Sequence, residues 1–102
     1  MSIEYTFIGW CRDEEANADK VWGIMKLTGD NWRGTYVSFW GRRGKKLQTK
    51  MHRDTYEWDV EKLADSKERK GYKKIKRVDL DSVYPEFQAD LEKTAFWSML
   101  KV

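Results

Sequence analysis

The residues best equipped for chemistry lie between Ser38 and Lys50, in SFWGRRGKKLQTK. Trp40 offers a flat ring, Arg42 and Arg43 follow it at once, and Lys45, Lys46 and Lys50 come close behind. A ring beside guanidinium groups suits the face of a sugar or base next to a phosphate. Stacking contributes roughly 1–3 kcal/mol per base, and arginine holds a phosphate through two parallel hydrogen bonds. The same residues also fit a core tryptophan followed by a solvated turn, so this stretch alone leaves both readings open.

A second segment, KERKGYKKIKR, carries Lys70, Lys73, Lys74, Lys76 and Arg77. Runs of like charge are commonly exposed faces. Here Tyr72 and Ile75 interrupt the run and should anchor it in the fold, which would present the charge from a fixed surface. Residues 31–53 hold seven Lys/Arg and no acid, and residues 67–77 hold seven against Glu68. With a net charge of +3 over the chain, the remainder is strongly acidic. Charge is therefore segregated, and a fold that brings the two basic segments together makes a patch that the net charge conceals.

Other chemistries find little support. His52 is the one histidine and Cys11 the one cysteine, so the usual zinc ligand sets cannot be assembled. His52 beside Arg53 reads as a solvated surface residue, and Cys11 as a small core hydrophobe. The pairs Glu14/Glu15 and Asp79/Asp81 read as hydrated turn or cap residues. WGRRG lacks the GK[ST] ending and following helix of a phosphate-binding loop. No catalytic constellation, metal or cofactor is expected. The lone cysteine points to a reducing compartment, and the first residues lack a signal-peptide pattern, so a cytoplasmic protein is expected.

The elements that must position these groups follow from periodicity. At 102 residues the chain fits one domain, and 15% aromatic content gives it a core despite 36% charged residues. Residues 3–11 alternate Ile3, Tyr5, Phe7 and Cys11 with Glu4, Thr6, Ile8 and Trp10, as a strand does. Residues 12–19 are polar and acidic, a loop. Residues 20–27 read as a second strand, with Val21, Met25 and Leu27 opposite Trp22, Ile24 and Lys26. Gly23 within it signals a bulge or a close backbone approach. After a hairpin loop over 28–34, a third strand over 35–40 sets Thr35, Val37 and Phe39 opposite Tyr36, Ser38 and Trp40. The GRRGKK turn leads to a fourth strand over 47–52.

The period then becomes helical. Tyr56, Val60, Leu63 and Ala64 mark a helix running to Lys70, opened by an Asp54–Glu57 capping box and ended by Gly71. Residues 72–78 form a basic extended segment centred on Ile75, and residues 79–83 an acidic loop. Pro85 opens a last helix over 85–100, with Phe87, Leu91, Ala95, Phe96, Met99 and Leu100 on its apolar face. The expected architecture is one α+β domain over 1–102: an antiparallel meander of four to five strands, one packed helix and a C-terminal helix.

Trp40-Gly41-Arg42, followed by Gly44 and Gln48, resembles the signature of the WGR domain, found in poly(ADP-ribose) polymerases and in stand-alone bacterial proteins. A second block, Glu61-Lys62-Leu63, then Lys67, then Lys70-Gly71-Tyr72, resembles the helix and glycine-aromatic exit of bacterial members. The likeness covers about residues 5–78 and leaves residues 84–101 as a helical extension. It implies nucleic-acid binding. In the polymerases the module helps hold a DNA break, with the motif Trp against the terminal sugar and the motif Arg linking to a neighbouring domain. That implies a stacking role for Trp40 and a bridging or phosphate role for Arg42. Arg43 stands where the family often has an aliphatic residue, and Leu47 where a second glycine is common.

Together these readings anticipate a non-enzymatic module that binds nucleic acid, DNA rather than RNA, as duplex or ends. Trp40 would stack, while Arg42, Arg43, Lys45, Lys46, Lys50, Lys70, Lys73, Lys74, Lys76 and Arg77 would meet phosphates. The alternative is a protein-interaction or dimerisation module, using an acidic partner or the apolar end of the C-terminal helix.

Overall fold

The computed structural model describes residues 4–15, 18–30, 32–94 and 97. Ile3, Ala95, Phe96, Met99 and Leu100, and the side chains of Glu4, Tyr5, Thr6 and Arg77, lie outside the described residues. Four long strands come first, β1 (Glu4–Asp13), β2 (Ala18–Gly29), β3 (Arg33–Arg42) and β4 (Gln48–Tyr56). Helix α1 (Glu57–Arg69) follows, then the two-residue strand β5 (Lys73–Lys74). A 3-10 turn (Arg77–Asp79), α2 (Leu80–Val83) and α3 (Phe87–Glu92) complete the described chain. One antiparallel sheet in the order β4-β3-β2-β1-β5 unites the strands. The fold is α+β, as the alternation anticipates.

Both faces of this sheet are covered, which is why its central strands are apolar on alternate residues of both phases. On one face Phe7, Trp22, Ile24 and Tyr36 pack with Val60 and Ala64 of α1. On the other, Ile8, Val21, Met25, Val37 and Phe39 pack with Tyr84, Phe87 and Leu91 of the C-terminal segment. The result is three layers, with the sheet in the middle. Gly23 marks a close approach and no bulge, because its register with Phe39 is unbroken. A Cβ at Gly23 would stand 2.2 Å from the Phe39 ring. The missing side chain lets that ring lie across β2 and reach Phe87, 5.3 Å away between centroids.

Four expectations need correction. The alternation read over residues 3–11 is interrupted in β1, where Tyr5 pairs with Met25 but Phe7 with Ile24, so the register shifts by one residue between them. Residues 12–19 are no long loop, since Arg12 pairs with Asp19 and Asp13 with Ala18. Backbone ladders do not require apolar side chains, so polar composition hid these strand ends. The capping box does not form. Asp54 sits in β4 at a φ of 54° with its carboxylate held by Arg33, and the N-cap of α1 is Tyr56. The Glu57 N–H donates instead to the Trp32 carbonyl at 2.9 Å, so the β2–β3 hairpin satisfies the helix start. Finally, residues 80–83 are helical at α2, and in place of one helix over 85–100 α3 begins at Phe87, two residues after Pro85, and ends at Glu92.

The other end of α1 obeys its sequence. Gly71 has a φ of 107°. Its N–H donates to the Glu68 carbonyl at 3.0 Å, and the Tyr72 N–H reaches back to the Lys67 carbonyl at 3.1 Å. This pair of bonds is a Schellman motif, and it reverses the chain so that Tyr72 returns to the sheet. Among the described residues no helix is long and apolar enough to cross a membrane.

Candidate functional site

The end of β3 and the end of α1 meet on one face of the sheet. Strand alternation puts Tyr36, Ser38 and Trp40 on the α1 side, and Trp40 pairs with Trp22 on β2 and with Gln48 on β4. Trp40 stands half-buried where α1 gives out, and the Schellman turn brings Tyr72 to the same place. Two open hollows meet at these rings. One, about 280 Å³, is lined by Trp22, Ser38, Lys50, His52, Leu63 and Lys67 together with Trp40 and Tyr72. The other, about 470 Å³, adds Asp19, Lys20, Gly41 and Arg42 around the same two rings. They form a groove with aromatic walls and cationic flanks.

Its electrostatics are one-sided. The Lys67 ammonium lies 5.4 Å over the Trp22 ring, and the Lys20 ammonium 5.7 Å over the Tyr72 ring. Burial pushes the Lys67 amine below its ordinary range, and the charges of Lys70 and Lys20 push it the same way. Among the described residues no carboxylate lies within ion-pair distance of Lys20, Lys50, Lys67 or Lys70. Asp19 is the acid of the lining, and it is already engaged. Its carboxylate accepts the Trp10 indole N–H at 2.7 Å and pairs with Arg43 at 3.0 Å.

Of the residues singled out in the sequence, the groove gathers Trp40, Arg42 and Lys50, with Lys70 near Lys67 at the helix end. Arg43 goes elsewhere. Half-buried, it pairs with Asp19, donates to the Val83 carbonyl and lies 4.7 Å over the Trp10 ring. It locks the β3–β4 turn to the C-terminal segment. Lys45 and Lys46 are exposed on that turn, and Lys73 and Lys74 are exposed on β5 at the sheet edge beside β1. Lys76 is exposed after Ile75, which is buried as an anchor should be, and Arg77 opens the 3-10 turn.

His52 is no solvated surface residue. It is half-buried in the groove, with Nε2 2.9 Å from the Ser38 hydroxyl. Burial lowers its pKa below the ordinary imidazole value, and Lys50 adds to that.

Lys20, Lys67, Tyr72, Ser38 and His52 were not among the anticipated binding residues. Lys67 had a signal: it continues the Val60, Leu63, Ala64 spacing, which places it on the sheet-facing side of the helix. Ser38 shares strand phase with Tyr36 and Trp40. Lys20 and Tyr72 carried none, because a strand pairing and a helix exit bring them together.

No protein-family model, curated protein or solved structure was found to match the chain.

Proposed function

We propose that this chain is a non-enzymatic, WGR-like module that binds nucleic acid, DNA in preference to RNA, in the groove between α1 and the sheet. Trp40 and Tyr72 stack on exposed base or sugar faces. Arg42, Lys20, Lys50 and Lys67 meet phosphates. Lys70, Lys73, Lys74, Lys76, Arg77, Lys45 and Lys46 add a surrounding positive field that speeds association. Arg43 is left out of the contact set because its guanidinium is committed within the fold.

The observation that carries this reading is the gathering of lysines on aromatic rings with, among the described residues, no carboxylate within ion-pair distance of them. A fold gains nothing from crowding Lys20, Lys67 and Lys70, so a polyanionic ligand is the natural counter-charge. The exposed face of α1 carries Asp59, Glu61, Asp65 and Glu68, which phosphates repel, so contacts to backbone from the groove dominate and sequence preference is weak. The test is a salt titration of binding to a labelled duplex by fluorescence anisotropy. Affinity should fall log-linearly with salt, with each phosphate contact contributing about 0.9 to the slope. A flat salt dependence, or binding unaffected by Trp40→Ala with Lys67→Glu, sinks the proposal.

A second reading, a protein-interaction module, draws on a different surface. Trp32 and Trp58 are 53% and 49% exposed, and their rings stack with Tyr56 at interplanar angles of 9° to 20°. Arg33 lies 5.4 Å over Tyr56. Trp, Tyr and Arg are the residues that dominate protein interfaces. Light scattering across a concentration series, with Trp58→Ala as the control, tests whether this patch joins two copies.

A further inference from the structure

His52 lies in the groove without a role in the binding scheme above. It sits on β4, and its register partner on β3 is Tyr36. The titratable and charged groups that face it are Tyr36 from β3, Lys50 from its own strand, Lys67 from α1 and Tyr72 from the helix exit. Among these groups there is no carboxylate to favour an imidazolium, and Asp19, in the adjoining hollow, is held by Trp10 and Arg43. Its one hydrogen bond among the described residues is to Ser38.

We propose that His52 and Ser38 are a proton-linked anion contact of the groove, charging when a phosphate enters and discharging when it leaves. The inference rests on the nucleic-acid reading given above. With the imidazole neutral and Nε2 accepting, the Ser38 hydroxyl donates its proton to the ring and is occupied. When Nε2 takes a proton from solvent, the direction reverses and Nε2–H donates to Ser38 Oγ. The Ser38 hydrogen is then released and turns to a phosphate oxygen, while the imidazolium adds a positive charge beside Lys50 and Lys67. One proton enters the complex, and no bond other than hydrogen bonds changes.

The direction of the pH effect follows. Burial and Lys50 hold the unliganded imidazole below its ordinary value of 6.5, so it is neutral at pH 7.5. A bound phosphate favours the charged ring and raises its pKa. Between the two values the complex holds a proton that the unliganded protein lacks. Affinity therefore rises as pH falls, by up to about tenfold per pH unit in that window.

The experiment is binding of a short DNA duplex to the full chain from about pH 6 to about pH 8. Wild type should tighten toward low pH, whereas His52→Gln, which retains a hydrogen-bonding partner for Ser38, should give a flat profile. In parallel, NMR of the His52 ring protons should give a higher pKa with duplex than without. Binding with equal pH profiles in wild type and His52→Gln, or an imidazole pKa unmoved by DNA, overturns this inference and leaves the binding proposal intact. Absence of binding at every pH at low salt overturns both.

Discussion

The Arg43 guanidinium lies 4.7 Å over the Trp10 ring, and both residues hold the same Asp19 carboxylate. A third arm of Arg43 reaches the Val83 carbonyl. One side chain thus joins β1, β2, the β3–β4 turn and the C-terminal layer. Arg43→Ala strips a half-buried carboxylate and a carbonyl of their donor, and should lower unfolding free energy by about 2–3 kcal/mol. Arg43→Lys should recover little, because an ammonium neither forks nor stacks as guanidinium does. Urea denaturation of both variants checks this. A change within about 0.5 kcal/mol, ordinary for exposed positions, would show that the clamp contributes nothing.

Asp19 carries the acid-side consequence of that clamp. Burial works to raise its pKa, but the Trp10 N–H and the Arg43 charge outweigh it and hold the carboxyl below its ordinary 3.8. A carboxyl depressed in the fold contributes stability that is present above the unfolded value and lost as pH falls through the folded one. Thermal midpoints should therefore drop below about pH 4, and Asp19→Asn should flatten that part of the profile. Equal acid sensitivity in wild type and variant would contradict the assignment.

At Lys67 the groove and the fold make opposite demands. Burial, Lys70 and Lys20 all disfavour its charged form, and its ammonium rests over Trp22. Lys67→Met keeps the apolar stem against that ring and removes the repulsion. Stability should stay within about 0.5 kcal/mol of wild type or rise. Duplex affinity should weaken, and the log–log salt slope should shrink by about 0.9, the share of one phosphate contact. A variant that loses stability while keeping its full slope would remove Lys67 from the interface and make it a packing residue.

These three residues also mark how far the sequence could be read. Alternation sets Val21 and Met25 opposite Trp22 and Ile24 on one strand, and Val37 and Phe39 opposite Tyr36 and Trp40 on the next, and the structure keeps both divisions. It works because both faces are buried and a slip of one residue would exchange them. Gly71 is legible for a local reason, since only the helix C-terminus and its own backbone set its φ. Arg43 was not legible as a clamp. Its partners Asp19, Trp10 and Val83 are distant along the chain, and adjacency to Arg42 made it look like a second phosphate contact. Asp54 misled in the same way, because a local capping motif lost to a tertiary ion pair with Arg33. In the groove, the shared phase of Ser38 and Trp40 follows from one strand, whereas the meeting of Lys20 and Tyr72 depends on sheet order and on where a helix reversal points.

Tyr84 gives the last test, at the base of the C-terminal layer. Its hydroxyl is buried and donates to Asp90, whose side chain is only 3% exposed, and the Gly44 N–H approaches the same oxygen at 3.5 Å. Burial raises the phenol's pKa far above its ordinary value, and Asp90 raises it further, so the hydroxyl is a fixed donor at any working pH. Tyr84→Phe preserves the ring contact with Phe87 but leaves the Asp90 carboxylate, among the described residues, with no side-chain partner beyond Lys93, 3.8 Å from the other oxygen. The expected loss is about 1–3 kcal/mol, the cost of an unsatisfied buried acceptor. Combining Tyr84→Phe with Asp90→Leu should recover part of it, because both polar groups are then gone. Because this bond lies beneath the β3–β4 turn and away from the groove, duplex affinity of the folded single variant should stay within about twofold of wild type. A Tyr84→Phe protein with unchanged stability would show that Asp90 finds another donor. A folded variant with lost affinity would instead tie the turn's shape to the binding groove.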